Sequence, residues 1–147
     1  MKAIKSCFPG ATVSKATYYM KPTLEEESPD TVLLNIGTNN LTKKRQTEKE
    51  TVDEIMDMVN ECRKFGVNKV FISGLTVRQR YSKQVDNINY MLKQNAGNYD
   101  YVFIDNSNIQ SHHLCKDGLH LHDKGMELLA NNFIKALNYK SIFNSFY

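Results

Sequence analysis

The sequence predicts an α/β fold, a three-layer α/β/α sandwich built on a parallel sheet. Three observations carry that expectation. Short apolar runs rich in Val, Ile, Phe and Leu alternate with segments of helical period. Val32-Leu33-Leu34 is continuous rather than alternating, which suits a strand buried on both faces. The order strand then helix, repeated four times, requires right-handed crossovers between parallel neighbours.

The elements follow in order. The first strand is expected over Ala3–Phe8. A short helix follows Thr12 and is expected to end before Pro22, which cannot donate a backbone hydrogen bond. The second strand spans Thr31–Ile36. From Thr51 to Phe65, Val52, Ile55, Met56, Val59 and Cys62 form one apolar stripe, opposite Asp53, Glu54, Asp57, Asn60 and Glu61. Gly66 supplies the stop. The third strand covers Lys69–Ser73. A helix runs from Ser82 to Gln94 through Val85, Ile88, Met91 and Leu92. The fourth strand is Tyr101–Ile104. The last helix buries Met126, Leu129, Ala130, Phe133 and Leu137, with Asp123 as its N-cap.

The chain has 147 residues, 41% hydrophobic and 24% charged, with a net charge of +3. That composition excludes a disordered chain, and the length suits one domain spanning 1–147. No apolar run approaches the ~18 residues of a membrane span. Met1–Gly10 has no apolar core of a secretory signal. Cys7, Cys62 and Cys115 are odd in number and far apart, so a reducing, cytoplasmic setting is the expectation. The slight excess of basic residues is too mild to imply nucleic acid by itself.

In parallel sheets of this kind, chemistry sits beyond the carboxyl ends of the strands. Four segments should therefore meet on one rim: Phe8–Thr12, Gly37–Asn40, Gly74–Thr76 and the loop from Asp105 to Leu121. A carboxylate at Asp117 could fix the tautomer of His120 and leave its other nitrogen free as a general base. Spacing alone also fits a turn aspartate beside a surface histidine. Asn39 could donate to a developing oxyanion, and Gly10 lets a backbone N–H approach a ligand closely. Each of these, taken singly, also reads as an ordinary turn.

Together they resemble one family. Phe8-Pro9-Gly10-Ala11-Thr12, then Pro29–Asn40, then Asp117-Gly118-Leu119-His120-Leu121 with Gly125, are similar to blocks two, three and five of the SGNH (GDSL-like) hydrolases. The wording is closest to SGNH domains of animal genomes, including those encoded by retrotransposons. The resemblance implies a carboxylic-ester hydrolase of esterase or lipase type acting on a small ester. It implies His120 as general base, Asp117 as its orienting carboxylate, and Gly10 and Asn39 as oxyanion-hole donors. It implies no cofactor and no metal.

Two departures stand out. The family's first block, a Gly-Asp-Ser turn carrying the nucleophile, occurs nowhere in this sequence. The domain is thus expected to lack the family's first strand and helix, to have no nucleophile, and to be inactive or impaired as written. Asn40 also stands where the family usually has Asp. Ser14 and Ser73 are poor substitutes, one in the first turn of a helix and the other at a strand end.

The sequence leaves three other readings open. His112, His113, Cys115, Asp117, His120 and His122 are metal-ligand types, but their spacing matches no common closed site. Lys43-Lys44-Arg45 and Arg78-Arg80-Tyr81 (less Gln79) offer basic and aromatic character to a nucleic acid, although both are expected in loops where solvated charge is normal. A non-catalytic remnant would keep the cleft without the chemistry. The resemblance also implies that the absent first strand is central in the sheet, so the strand at Ala3–Cys7 is expected to lose a neighbour and Val32–Leu34 to face an open edge, giving re-pairing within the chain or dimerisation with poor solubility.

Overall fold

The computed structural model describes Ser6 and residues 8–145, with side chains as far as residue 138. The strand expected over Ala3–Phe8 lies, apart from Ser6 and Phe8, outside the described residues. The elements that follow are α1 (Val13–Glu27), β1 (Thr31–Leu34), α2 (Glu48–Lys64), β2 (Lys69–Ser73), α3 (Ser82–Tyr99), β3 (Val102–Ile104) and α4 (Asp123–Ser145). Two 3-10 turns, Thr38–Thr42 and Ser111–His113, were not foreseen from the sequence.

The sheet is parallel and ordered β1-β2-β3, with Leu34 opposite Ile72 and Ile72 opposite Phe103. Alternation along each strand assigns Val70, Ile72 and Leu34 to one face. There they join the buried stripes of α1, α2 and α3 in one apolar cluster. Phe71 points the other way and is 2% exposed; it is buried outside that cluster, as are Ile104, Ile109 and Leu129 of α4. The central strand is thus covered on both sides, as its unbroken apolar run requires. Burying each such side chain contributes about 2 kcal/mol.

Several boundaries differ from the sequence reading. Helix α1 does not stop before Pro22 but carries it and runs on to Glu27, where Ser28 in the left-handed region donates its N–H to Leu24 O. Pro22 and Tyr18 are both exposed, so water can take the Tyr18 carbonyl that the proline cannot bond, while Met20 and Leu24 stay buried. Helix α2 starts earlier, at Glu48, because Thr47 caps it by accepting the Glu50 N–H at 3.1 Å. Helix α3 extends to Tyr99, and the flanking strands are shorter, with Ile36 beyond β1 and Tyr101 before β3.

Helix α4 corrects two expectations. Asp123 is its first residue rather than its N-cap. The capping is done by His122, whose Nδ1 accepts the Lys124 N–H at 3.2 Å and whose carbonyl accepts the Met126 N–H at 2.9 Å. Met126 is 54% exposed and Ala130 is exposed, whereas Gly125 and Leu129 are buried. The inward face is set by Gly125, which packs so closely that an added Cβ would lie 3.0 Å from His113 O.

Candidate functional site

Parallel strands bring the segments that follow β1, β2 and β3 to one rim, and hydrogen bonds join these and Phe8–Thr12 in sequence. Asn39 donates through Nδ2 to Ala11 O at 2.9 Å, tying the second segment to the first. Arg78 donates to Thr38 O at 2.7 Å and to Thr38 Oγ1 at 3.2 Å, tying the third to the second. Gln79 N–H donates to Gly118 O at 2.9 Å, tying the fourth to the third. Gly10, Asn39, Asp117 and His120 therefore sit on one connected rim.

The fourth segment carries the best-defined geometry. Asp117 Oδ1 accepts the N–H groups of Leu119 at 2.9 Å and His120 at 3.0 Å, which folds the turn back on itself. Its Oδ2 lies 2.5 Å from His120 Nδ1. The hydrogen bond from His120, helped by the two backbone N–H groups, holds the Asp117 carboxyl down at about 2. No hydrogen bond engages His120 Nε2 among the described residues, and the side chain is 75% exposed. Gly118 holds φ +69°, and a Cβ there would fall 2.7 Å from Gln79 Cβ, so only glycine lets this turn dock on the third segment.

At the other end, Gly10 adopts φ +73° in the turn closed by Ala11 N–H donating to Phe8 O at 3.0 Å. A cleft of about 390 Å³ opens beside it, walled by Phe8, Pro9, Lys15 and Tyr19. One of the two Asn39 amide hydrogens is spent on Ala11 O, which leaves the other for a ligand.

Four residues that build the rim were not singled out as such by the sequence. Asn40 is 2% exposed; its Oδ1 accepts the Val13 N–H at 2.9 Å, and its Nδ2 donates to Glu54 Oε2 at 2.7 Å and Gln46 Oε1 at 3.1 Å. This accounts for the amide where the family usually has a carboxylate, because the Glu54 carboxylate faces it and needs a donor. Asn89 clamps Leu75, accepting its N–H and donating to its carbonyl. Asn106 donates to Ser73 Oγ and Gly74 O and accepts from Asn132. Arg78 lies over the Tyr81 ring, 5.0 Å from its centroid. Of these, Asn40 lay within the family-like motif and Arg78 within a basic stretch, while Asn89 and Asn106 lay in neither.

No serine hydroxyl is hydrogen-bonded to His120 among the described residues. Ser73 is 1% exposed and holds Asn106, while Ser14 is exposed in the first turn of α1. Two of the three other histidines have structural work. His113 is buried, its Nδ1 accepts the Gln110 N–H at 2.9 Å, and desolvation pushes its pKa down. His122 Nε2 donates to His112 O at 2.8 Å, consistent with the Nδ1 acceptor role described for α4. No cluster of three or more His, Cys, Asp or Glu among the described residues could hold a metal ion. No helix among them is long and apolar enough to cross a membrane.

The order of these segments on a parallel α/β sheet defines a lipase- or acylhydrolase-like fold. The GDSL-like Lipase/Acylhydrolase family model matches residues 8–133, and the chain belongs to that family. Three solved structures share its fold. A carbohydrate esterase family 3 protein from Talaromyces cellulolyticus superposes with a TM-score of 0.75 at 16% identity, over 88% of this chain and 68% of that one. A lipolytic protein of the G-D-S-L family from Veillonella parvula gives 0.73 at 16% identity, over 86% and 74%. A family 3 carbohydrate esterase from Clostridium thermocellum gives 0.71 at 23% identity, over 86% and 64%. The sequence matches no curated protein.

Proposed function

We propose that this chain supplies the acid–base and oxyanion parts of a carboxylic-ester hydrolase site, and that it does not turn over esters alone. The observation that carries this reading is the Asp117–His120 pair at 2.5 Å, with no serine among the described residues bonded to His120 Nε2. His120 Nε2 would take the proton of an attacking hydroxyl. Asp117, kept ionised by its low pKa, would stabilise the imidazolium so formed. The Gly10 N–H and the remaining Asn39 amide hydrogen would receive the oxyanion of the tetrahedral intermediate. The cleft beside Gly10 offers room for a small ester. The carbohydrate-esterase neighbours support a carboxylic ester as the bond to be cleaved.

The test is p-nitrophenyl acetate hydrolysis by the chain and by His120→Ala. Equal, near-background rates are expected. Turnover that falls when His120 is removed would overturn the claim that the nucleophile is lacking.

The reading extends to association and setting. Among the described residues β1 pairs with β2 alone, and its Val32 and Leu33 are only half-buried. Where no other segment of the chain re-pairs with it, such an edge favours strand-to-strand association. Light scattering should show a mass that rises with concentration, and a monomer at all concentrations would contradict this. Cys62 is buried, with its thiol pushed up to about 11 by desolvation, and Cys115 is exposed and free, which supports a reducing, cytoplasmic setting.

A further inference from the structure

We propose that His113 is a positioning residue for the Asp117–His120 turn. In its neutral form it closes the root of the hairpin that carries the turn, and its protonation frees the turn from the rim.

The hairpin folds residues 113–122 back on themselves. His122 N–H donates to His113 O at 2.9 Å, Leu114 lies opposite Leu121, and Cys115 N–H donates to His120 O at 2.7 Å. The tip docks on the third rim segment, where Gln79 N–H donates to Gly118 O at 2.9 Å. Asp117 and His120 thus sit at the end of the hairpin farthest from His113.

The root is built for neutral imidazoles. His113 is buried, and its Nδ1 accepts the Gln110 N–H at 2.9 Å while its own N–H donates to Gln110 O at 2.9 Å. His122 Nδ1 accepts the Lys124 N–H in the same way. A ring nitrogen that accepts from a backbone N–H has no lone pair left for a proton. Charging His113 therefore sets two N–H groups face to face and expels the Gln110 bond. His113 has little space in which to yield, because a Cβ on Gly125 would come within 3.2 Å of its Cβ and 3.0 Å of its carbonyl oxygen. Movement there shifts the carbonyl that His122 bonds and opens the hairpin at its root.

The surroundings oppose a charge as well. His112 stacks beside His113 with ring centroids 3.9 Å apart, and His122 faces it from the returning strand at 5.9 Å. Lys124 acts on it from α4, whose exposed acids are Asp123 and Glu127, and Glu127 is paired with Lys124 at 3.7 Å. Desolvation and these basic neighbours hold the His113 pKa below 6.5. Because the folded pKa is depressed, the closed hairpin is favoured above pH 6.5 and loses that advantage as pH falls to the His113 midpoint. The Asp117–His120 contact lies within the turn and travels with it, so release takes the pair off the rim without breaking it. The positioning role stands on these contacts; its bearing on catalysis rests on the hydrolase reading above.

The experiment is native-state amide hydrogen exchange of the full chain from about pH 7.5 to about pH 4, normalised to the intrinsic rate at each pH. The amides of Gln79, Cys115 and His122 should open more as pH falls from 6.5, by up to about tenfold per pH unit, and level off below the midpoint of the His113 ring resonance. The Leu119 and His120 amides, held by Asp117, should not follow them. His113→Asn keeps an acceptor for the Gln110 N–H that takes no proton, and it should flatten the dependence. His112→Asn and His120→Gln should retain it. Protection that does not change with pH, or a dependence that persists in His113→Asn, would overturn the role. So would its disappearance in His120→Gln, which would give the effect to the base itself. If His113→Asn does not fold, the unaltered chain decides, since a His113 ring midpoint that differs from the point at which the Gln79 amide levels off also overturns the role. Acid release in a chain that hydrolyses no ester supports the positioning role and leaves the hydrolase reading to its own test.

Discussion

Replacing Asn40 by alanine should lower the stability of the fold by about 3 kcal/mol, the largest effect expected of any single change at the rim. The side chain is enclosed, and each of its polar atoms is used. Its loss strands the Val13 N–H at the start of α1 and leaves the Glu54 carboxylate without the amide that meets it at 2.7 Å. Each orphaned group costs about 1–3 kcal/mol, and for a chain of this size the melting midpoint should fall by roughly 10 °C. Asn40→Asp separates the two functions. It keeps an acceptor for Val13 but sets carboxylate against carboxylate at Glu54, so its penalty should shrink in acid. Thermal melts of both variants check the account, and an alanine variant within about 0.5 kcal/mol of the parent would refute the anchoring role.

Joining a Gly-Asp-Ser strand–turn–helix of the family ahead of Met1 should raise ester turnover by on the order of 10³-fold or more. Without a nucleophile, a base and an oxyanion hole retain only a small part of serine-type catalysis. The gain should vanish in both the His120→Ala and the Ser→Ala versions of the joined protein, since the three groups act as one unit. A joined protein that folds with the same spectrum and stays at background would count against the roles given to His120, Gly10 and Asn39. This measurement also separates an unassembled site from a fold that has lost the chemistry for another reason.

The fold was readable wherever burial is one-sided and periodic. The stripe Val52, Ile55, Met56, Val59 and Cys62 faces the core as its spacing required. The continuous run Val32-Leu33-Leu34, expected to be buried on both faces, is buried only at Leu34, and the strand enclosed on both faces is β2, through Val70, Phe71 and Ile72. The misreadings have local causes. Pro22 stops a helix only where its missing bond cannot be replaced by water, and here that side of α1 is exposed. At the start of α4, an aspartate looked like the cap because aspartate usually is one, but the His122 ring reached the Lys124 N–H first. The inward face of α4 was drawn through its large apolar residues, whereas the close approach of Gly125 to His113 rotates Met126 outward.

The contact between Asp117 and His120 was legible for a different reason. Asp117 and His120 are three residues apart in one turn, so a local motif nearly suffices to place their contact. The groups that join the segments, Arg78 to Thr38 and Gln79 to Gly118, are 40 and 39 residues apart and follow no spacing rule. They become visible only when the sheet has brought the loops together.

The central claim is that the rim holds a formed carboxylate–imidazole pair. Its most direct test is a carbon-13 carboxyl titration of Asp117 in the unaltered chain and in His120→Gln. Because the folded pKa is depressed, the pair stabilises the fold above the ordinary carboxyl value of 3.8 and loses that contribution as pH falls toward about 2. A residue-specific titration is needed because His113, also depressed, loses its own contribution earlier on the way down from 6.5. The midpoint for Asp117 should be about 2, rising in His120→Gln but staying below 3.8, since the backbone N–H groups of residues 119 and 120 remain. A midpoint near 3.8 in the unaltered chain would show that the pair is not formed.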